Sequence, residues 1–136
     1  MLVHRDYGSV IDNSTGDVTA GHYYLYKQDF ARLAALGIPW FSMSISWSRI
    51  FPFGRAGSPV NEQGVAHYDD VFMSMREYGI EPAVTLYHWD TPLALFNSYG
   101  AWTSEQIVED FVNYAIFIIS RYDDYVPVWY TFNERE

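Results

Sequence analysis

The chain has 136 residues, 49% of them hydrophobic and 19% aromatic, which is enough apolar material for one buried core and excludes a disordered segment. Asp and Glu outnumber Lys and Arg by 17 to 8, and the net charge of -9 argues against nucleic acid and anionic membrane as partners, since these require clustered cations. Cysteine is absent, so disulfides, thiolate metal sites and cysteine nucleophiles are excluded as well.

Helical and strand patterns alternate along the sequence. Apolar residues recur at helical spacing in three segments, and three shorter runs are rich in β-branched and aromatic residues. Strands that alternate with long helices predict parallel βα units with right-handed crossovers, so we expect an α/β fold. No apolar run approaches the ~18 residues of a membrane span, and the sequence assigns no cellular location. The helices are predicted at 19–36, at 63–78 and from 103 to 122, and the strands at 41–47, 83–89 and 126–134.

Local signals mark where the predicted elements begin and end. Gly37 and Gly79 each follow a helix at the position where a left-handed residue ends it. A T-x-x-Q capping box at 103–106 predicts that the third helix begins there. In the first strand, large apolar residues alternate strictly with serines, so we expect the serine face to meet a crowded or polar space, such as the mouth of a barrel.

The third strand is an apolar run that ends in Asn133 and Glu134. A carboxylate held against apolar surface has a raised pKa, because burial disfavours the charged form. A raised pKa suits a general acid that works near neutral pH, so Glu134 is a candidate for that role. The alternative is that Glu134 is simply the first solvated residue after the strand.

Polar or amphipathic residues follow all three predicted strands. In parallel α/β folds the carboxyl ends of the strands carry the functional site. We therefore expect a site lined by a carboxylate, by amide and imidazole groups and by indole faces, which together suit a neutral polyhydroxylated ligand. The residues are Trp47, Ser48 and Arg49 after the first strand, His88, Trp89 and Asp90 after the second, and Asn133 and Glu134 after the third.

Other kinds of site fit the sequence less well. His88 and Trp89 can each be packed core residues instead of ligand contacts. A Ser-His-Asp hydrolase lacks its G-x-S-x-G elbow, and a phosphate-binding barrel lacks a glycine-rich loop at a helix N-terminus. A metal site lacks a clear i, i+4 pair of ligands, and we expect neither a metal nor a cofactor.

Five segments match, in order and spacing, the motifs of one enzyme family. They cover nearly the whole chain, which resembles the N-terminal part of a family 1 glycoside hydrolase, the β-glucosidase family, and most of all its fungal members. The resemblance implies a partial TIM (β/α)8 barrel, in which the three strands are the second, third and fourth of the barrel, within a single incomplete domain over 1–136. The segments are DNSTGD at 12–17, SISWSRIFP at 44–52, VTLYHWD at 84–90, YGAW at 99–102 and TFNE at 131–134.

The resemblance also implies roles for individual residues. Glu134 matches the family's acid/base carboxylate, Asn133 matches the asparagine that hydrogen-bonds the sugar 2-hydroxyl, and His88 matches a histidine that hydrogen-bonds the glycone, with Trp89 beside it. The family is retaining: a second carboxylate, ~5 Å from the first, attacks the anomeric carbon while the acid protonates the leaving oxygen. The implied substrate is a β-glycoside, with the sugar, the aglycone and the oligomeric state left open.

Several departures from the family pattern concern catalysis. The segment that carries the family's nucleophile and the first strand with its sugar-binding glutamine have no counterpart in the sequence. A family arginine that approaches the nucleophile falls at Ser42, and Arg135 replaces the proline after the asparagine-glutamate pair. Thr91 and Ala101 replace a leucine and a glycine. The leading expectation is a β-glucosidase by family, and the alternative is a truncated, catalytically silent fragment.

Overall fold

The computed structural model describes residues 11–12, 14–16 and 18–134. Asn13, Asp17 and Arg135 lie outside the described residues. The helices are α1 (His22–Ala35), α2 (Trp47–Ile50), α3 (Glu62–Glu77), α4 (Leu93–Tyr99) and α5 (Gln106–Tyr122), with a 3₁₀ turn at Ala101–Thr103. The strands are β1 (Trp40–Ser44), β2 (Glu81–Tyr87) and β3 (Val128–Phe132).

The three strands form one parallel sheet in the order β1-β2-β3. Ser42 of β1 is level with Ala83 of β2, which in turn is level with Val128 of β3. α3 lies between β1 and β2 in the chain, and α5 lies between β2 and β3, so the predicted series of parallel βα units is confirmed. The last residues of the strands are Ser44, Tyr87 and Phe132, and the side of the sheet where they lie is called the carboxyl edge below.

The core lies between the sheet and the two long helices α3 and α5. Both helices bury apolar side chains at helical spacing, as the sequence predicted, and β2 contributes Val84 and Leu86. Burying one such side chain is worth roughly 1.5–3 kcal/mol, so packing against the sheet stabilises these helices more than local propensity does. The buried apolar residues are Val65, Tyr68, Val71, Phe72 and Met75 on α3, and Ile107, Phe111, Tyr114, Ile118 and Tyr122 on α5.

Two glycines end helices where the sequence placed them. Gly37 and Gly79 have φ values of 72° and 67°, and they directly follow Leu36 and Tyr78, the capping residues of α1 and α3. This left-handed conformation carries a steric cost for any residue with a Cβ, and glycine avoids that cost.

The first two strands end earlier than predicted. β1 stops at Ser44 instead of residue 47, because the chain turns into α2, whose first amide, that of Trp47, donates to Oδ2 of Asp90 at 3.0 Å. β2 stops at Tyr87 instead of residue 89, because Trp89 has a φ of 68°, which lies far outside the extended region.

The capping box predicted at 103–106 is wrong. Thr103 Oγ1 donates to the carbonyl of Gly100 at 3.0 Å within the 3₁₀ turn, so it is not available to cap a helix. Ser104 Oγ instead accepts the Gln106 amide at 3.3 Å, and α5 begins at Gln106.

Two other helices differ from the expectation. α1 begins at His22 rather than at residue 19, because Thr19 and Gly21 have positive φ values of 43° and 66°. α4 was not predicted, because its seven residues are too few for a helical period to stand out. Within residues 11–12, 14–16 and 18–134, no helix has the length and apolar character needed to span a membrane.

Candidate active site at the carboxyl edge

Asn133 extends the hydrogen bonding between β2 and β3 by one residue. Phe132 pairs with Tyr87 in the strand register, and the Asn133 amide then donates to the Tyr87 carbonyl at 3.0 Å. The residues that follow these two strands therefore start from neighbouring points of the carboxyl edge. The structure thus brings together four of the predicted site residues: His88, Trp89, Asn133 and Glu134.

Trp89 spans the gap between the end of β2 and the end of β3. Its indole Nε1 donates to the carbonyl of Asn133 at 3.1 Å, and the residue is 63% exposed. The ring face is therefore open to the apolar face of a sugar. Trp89 and Glu134 both have left-handed backbones, with φ values of 68° and 46°. Residues other than glycine seldom adopt this conformation, and such positions concentrate at functional sites.

Glu134 and His88 are exposed, and Asn133 is half-buried. The apolar surroundings expected around Glu134 are therefore absent among the described residues, and that expectation is wrong for this chain by itself. A carboxyl group open to solvent exchanges protons with water. A bound sugar or further structure that covers Glu134 would exclude water and favour proton delivery to a glycosidic oxygen.

Trp47 does not lie in the site. The residue is fully buried, and its ring stacks on Tyr114 with 5.2 Å between ring centroids and meets Phe111 at 5.6 Å. The expectation that it offers an indole face to a ligand is wrong, because α2 turns its side chain into the core beneath α5. Ser48 is exposed and Arg49 half-buried, so both stay near the edge.

A cleft of about 440 Å³ opens beside the ends of β1 and β2. Ser44 and Ser46 line it, so the serine face meets the polar space that was expected. The Tyr68 hydroxyl connects two other lining residues: it accepts the Ser46 amide at 2.8 Å and an Arg49 N–H at 3.0 Å. Burial raises the pKa of Tyr68, which keeps this hydroxyl neutral. His88 also lines the cleft.

Sequence reasoning missed a hydrogen-bonded group at the end of β2. The hydroxyls of Tyr87 and Thr91 are 2.7 Å apart, and the Trp102 indole N–H donates to both, at 2.8 and 3.0 Å. This group fastens the 3₁₀ turn to the end of β2. The one sign of this group in the sequence was Thr91. The family pattern has a leucine at this position, and a leucine side chain could make none of these hydrogen bonds.

Asp90 is a second residue whose contacts the sequence did not reveal. Its Oδ2 accepts the Trp47 amide at 3.0 Å, and its Oδ1 is buried without a partner among residues 11–12, 14–16 and 18–134. One oxygen is therefore engaged by backbone and the other is enclosed, so Asp90 is poorly placed to attack a sugar. The same part of the chain contains no group of three or more His, Cys, Asp or Glu that could hold a metal ion.

Comparison with known proteins relates this arrangement to one family. The family model for glycosyl hydrolase family 1 matches residues 3–136. Rice (Oryza sativa subsp. japonica) β-glucosidase 25 is 46% identical over 127 residues, which are 93% of this chain and 25% of the rice protein. This chain thus spans about a quarter of the length of the curated relatives it matches.

Solved structures agree closely with the fold. A rice β-glucosidase superposes with a TM-score of 0.92 at 38% identity, over 98% of this chain and 27% of that one. A mutant of that enzyme in covalent complex with Glc gives 0.90 at 37% identity, over 96% and 27% of the two chains. The β-glucosidase of Thermotoga maritima in complex with deoxynojirimycin gives 0.90 at 36% identity, over 98% and 29%.

These similar proteins come from plants and bacteria, so they lend no support to a special likeness to fungal members. They do support the partial TIM barrel, since three parallel strands with their helices superpose on β-glucosidases of that fold. Because the family model covers nearly the whole sequence, this chain belongs to glycosyl hydrolase family 1.

Proposed function

We propose that this chain carries the acid/base half of the active site of a retaining β-glucosidase, within a single barrel domain. The observation that supports this is the juxtaposition of Glu134, Asn133, His88 and the exposed Trp89 ring at the carboxyl edge. In this role Glu134 protonates the glycosidic oxygen as the aglycone leaves, and then removes a proton from the water that releases the sugar.

The other three residues recognise the sugar. Asn133 and His88 supply hydrogen-bonding groups that suit neutral hydroxyls, and Asn133 contacts the 2-hydroxyl, where hydrogen bonds strengthen in the transition state. The ring face of Trp89 covers the apolar face of the glycone. Two similar enzymes support a glucose-like glycone, since one is seen in covalent complex with Glc and the other with deoxynojirimycin.

A retaining reaction requires a second carboxylate about 5–5.5 Å from Glu134, to attack the anomeric carbon. Asp90 is held by the Trp47 amide and does not fill this role. The attacking carboxylate therefore comes from a further βα unit of the barrel. A catalytically silent sugar-binding chain is the second candidate, and it is favoured by the exposure of Glu134 and by Ser42, which stands where the family has an arginine.

The test is a chimeric barrel in which this chain replaces the aligned segment of the Thermotoga maritima β-glucosidase. We expect it to hydrolyse aryl β-glucosides. Glu134→Gln keeps the shape of the side chain but removes its proton, so kcat/KM should fall by roughly 10²–10⁴-fold for phenyl β-glucoside. The loss should be much smaller for 2,4-dinitrophenyl β-glucoside, because this aglycone leaves without needing a proton.

Glu81→Gln is the matched control, since Glu81 is also exposed but lies at the opposite end of β2. It should leave both substrates unaffected. Equal losses for both aglycones in the Glu134→Gln chimera would refute the acid/base role. A folded chimera that cleaves neither substrate would support the silent sugar-binding alternative.

A further inference from the structure

The loop 88–90 is fastened to both neighbouring strands. On one side the Asp90 carboxylate accepts the Trp47 amide, just beyond β1, at 3.0 Å. On the other side the Trp89 indole N–H donates to the Asn133 carbonyl, just beyond β3, at 3.1 Å. The loop therefore fixes the relative positions of all three strand ends, although it contains only three residues.

The backbone of Trp89 is adapted to this contact. Its φ of 68° is left-handed, a conformation that a tryptophan rarely adopts because its Cβ crowds the following carbonyl. The turn takes the chain out of β2 while the indole reaches across to β3. The residue is 63% exposed, so apolar burial holds little of it, and its indole makes a directional hydrogen bond to the Asn133 carbonyl.

The bonded carbonyl belongs to the peptide unit that leads directly into Glu134. Asn133 is held on both sides, because its amide, in the preceding peptide unit, donates to the Tyr87 carbonyl at 3.0 Å while its carbonyl accepts the Trp89 indole N–H. Glu134 follows with a φ of 46°, also left-handed. Among the residues that the structure describes, the hydrogen bond from Trp89 is the contact nearest to Glu134 along this backbone, and the carboxyl group of Glu134 leaves the sheet from there.

We propose that Trp89 is a positioning residue for Glu134, acting through the Asn133 carbonyl in addition to offering its ring face to a sugar. An acid must be within hydrogen-bond reach of the oxygen that it protonates, so an exposed glutamate at the end of a strand needs such an anchor. The proposal rests on the proposed function only in naming Glu134 as the acid. The hydrogen bond from Trp89 and its effect on the backbone do not depend on that function.

NMR of the chimeric barrel, with selective isotope labels, tests the contact directly. In the unsubstituted barrel, the ¹³Cα and ¹³Cβ shifts of Glu134 should report a left-handed backbone, and the Trp89 indole proton should show a hydrogen-bonded shift. Trp89→Phe keeps an aromatic face but lacks the donor. Glu134 should then shift to an ordinary backbone conformation. Amide exchange at Asn133 should speed up by roughly two- to twelve-fold, the range for loss of one neutral hydrogen bond.

Trp40→Phe is the matched control, since Trp40 is 48% exposed and begins β1, at the far end from the carboxyl edge. It should change neither the Glu134 shifts nor the Asn133 exchange. The proposal is overturned if Glu134 shows no left-handed signature in the unsubstituted barrel, or if Trp89→Phe leaves that signature and the exchange rate unaltered. Failure of hydrolysis in the chimeric barrel, with the NMR result as expected, would instead count against the proposed function alone.

Discussion

Asp90 joins the ends of β1 and β2 through one charge-assisted hydrogen bond. The Trp47 amide that it accepts opens α2, and Trp47 itself is stacked in the core on Tyr114. Asp90 therefore connects the loop that carries His88 to one of the most deeply buried side chains of the molecule. Its contribution is to hold the carboxyl edge together.

Replacing Asp90 should destabilise the fold, and the loss of stability should depend on whether the new side chain can still accept the Trp47 amide. Asp90→Ala removes the acceptor, and hydrogen bonds to charged groups are worth about 1.5–3 kcal/mol, so the free energy of unfolding should fall by an amount of that order. Asp90→Asn keeps one oxygen and should lose less. Urea unfolding of the chimeric barrel measures both, and an Asp90→Ala barrel as stable as the parent would contradict the assigned role.

Gly64 on α3 is a second position with a specific steric demand. A Cβ built there would lie 2.4 Å from the carbonyl oxygen of Arg49, which also accepts the Asn61 side-chain amide at 2.9 Å. The clash is between the backbone of α3 and the backbone at Arg49, and neither can move aside as a flexible side chain does. Gly64→Ala should therefore cost about 1–3 kcal/mol of stability in the same urea measurement, as overpacking typically does.

Gly57 supplies the comparison, because a Cβ there would meet no atom within 4 Å. Its φ of 71° still makes alanine unfavourable, but without a clash. Gly57→Ala should therefore shift the urea midpoint less than Gly64→Ala, and the reverse order would show that the contact with Arg49 is relaxed in solution.

At the scale of single residues, the sequence predicted where the candidate site residues lie better than it predicted their contacts. The rule that parallel strands present their carboxyl ends at one edge predicts His88, Trp89, Asn133 and Glu134 at the carboxyl edge, where the structure has them, and their roles stay predictions. The fate of Trp47 was not predictable, because serine-apolar alternation continues through it. What ends the strand is the hydrogen bond that the Trp47 amide donates to Asp90, 43 residues away along the chain.

At the scale of elements, α1 packs on α3 through an aromatic contact centred on His67. The His67 ring stacks on Tyr23 at 3.9 Å and meets Tyr26 edge-on at 5.3 Å. Burial, with the nearby Arg49 charge adding to it, lowers the pKa of His67 to about 4. His67 is therefore neutral at physiological pH, and protonation would place a second positive charge beside Arg49.

This contact should weaken as the pH falls. The folded pKa of His67, about 4, lies below the unfolded value of 6.5, so between these values the unfolded chain binds more protons. The stabilisation is present above the unfolded pKa and is lost progressively as the pH decreases from 6.5 to 4. In the chimeric barrel, Tm should decrease less over this range for His67→Gln than for the parent protein. Identical pH profiles would contradict the prediction.

Two acidic residues of α3, Asp69 and Asp70, lose their charge at lower pH than the range in which His67 acts. Hydrogen bonds from Arg121 lower the pKa of Asp69, and a hydrogen bond from Lys27 lowers that of Asp70, in each case below the ordinary 3.8. Their stabilisation is therefore present well above the unfolded value and is lost progressively as the pH falls from the unfolded value to the folded one. Above about pH 5 these two carboxylates contribute little to the loss of stability, and below it the comparison of His67→Gln with the parent protein isolates the share of His67.

The existence and order of the three strands and of α1, α3 and α5 followed from periodicity, and their boundaries did not. α3 and α5 each bury five apolar side chains at helical spacing, which is the signal that a sequence shows most clearly. The start of α5 was misplaced because the Thr103 hydroxyl donates to the carbonyl of Gly100, three residues earlier in the chain. The T-x-x-Q pattern does not reveal which partner the hydroxyl takes. α4 was not predicted because a helix of seven residues is too short to show a helical period in the sequence.

At the scale of the molecule, large apolar surfaces remain open. Tyr130 on β3 is 51% exposed, and along α5 the side chains of Val108, Val112 and Ile116 form a stripe at four-residue spacing with exposures of 59, 47 and 61%. β1 and β3 are both edge strands of the described sheet. Unpaired parallel edges next to apolar patches favour association with other chains.

We therefore expect the isolated chain to aggregate or to bind a hydrophobic dye. A double variant, Val112→Lys with Ile116→Lys, places charges on the exposed stripe without touching the core and should reduce both effects. Sedimentation velocity over a range of concentrations and dye fluorescence measure them. A chain that stays monomeric, melts cooperatively and binds no dye would contradict this expectation.

Hydrolysis by this chain alone is the last prediction, and it depends on what one carboxylate can achieve. General acid/base assistance is worth roughly 10²–10⁴-fold, which is a small part of a glycosidase's acceleration. The rest requires an attacking carboxylate on the far side of the anomeric carbon, and Asp90, the nearest candidate by motif, is engaged with the Trp47 amide. The purified chain should therefore show no measurable turnover of an aryl β-glucoside.

The assay needs Glu134→Gln alongside the unsubstituted chain, because a trace of contaminating glycosidase would give turnover in both. Turnover that is present in the unsubstituted chain and absent from Glu134→Gln would overturn the prediction. It would mean that a second carboxylate reaches the anomeric carbon, and the open edges of β1 and β3 show how this could happen: strands of another chain that pair there would bring their own carboxyl ends to the same edge as Glu134.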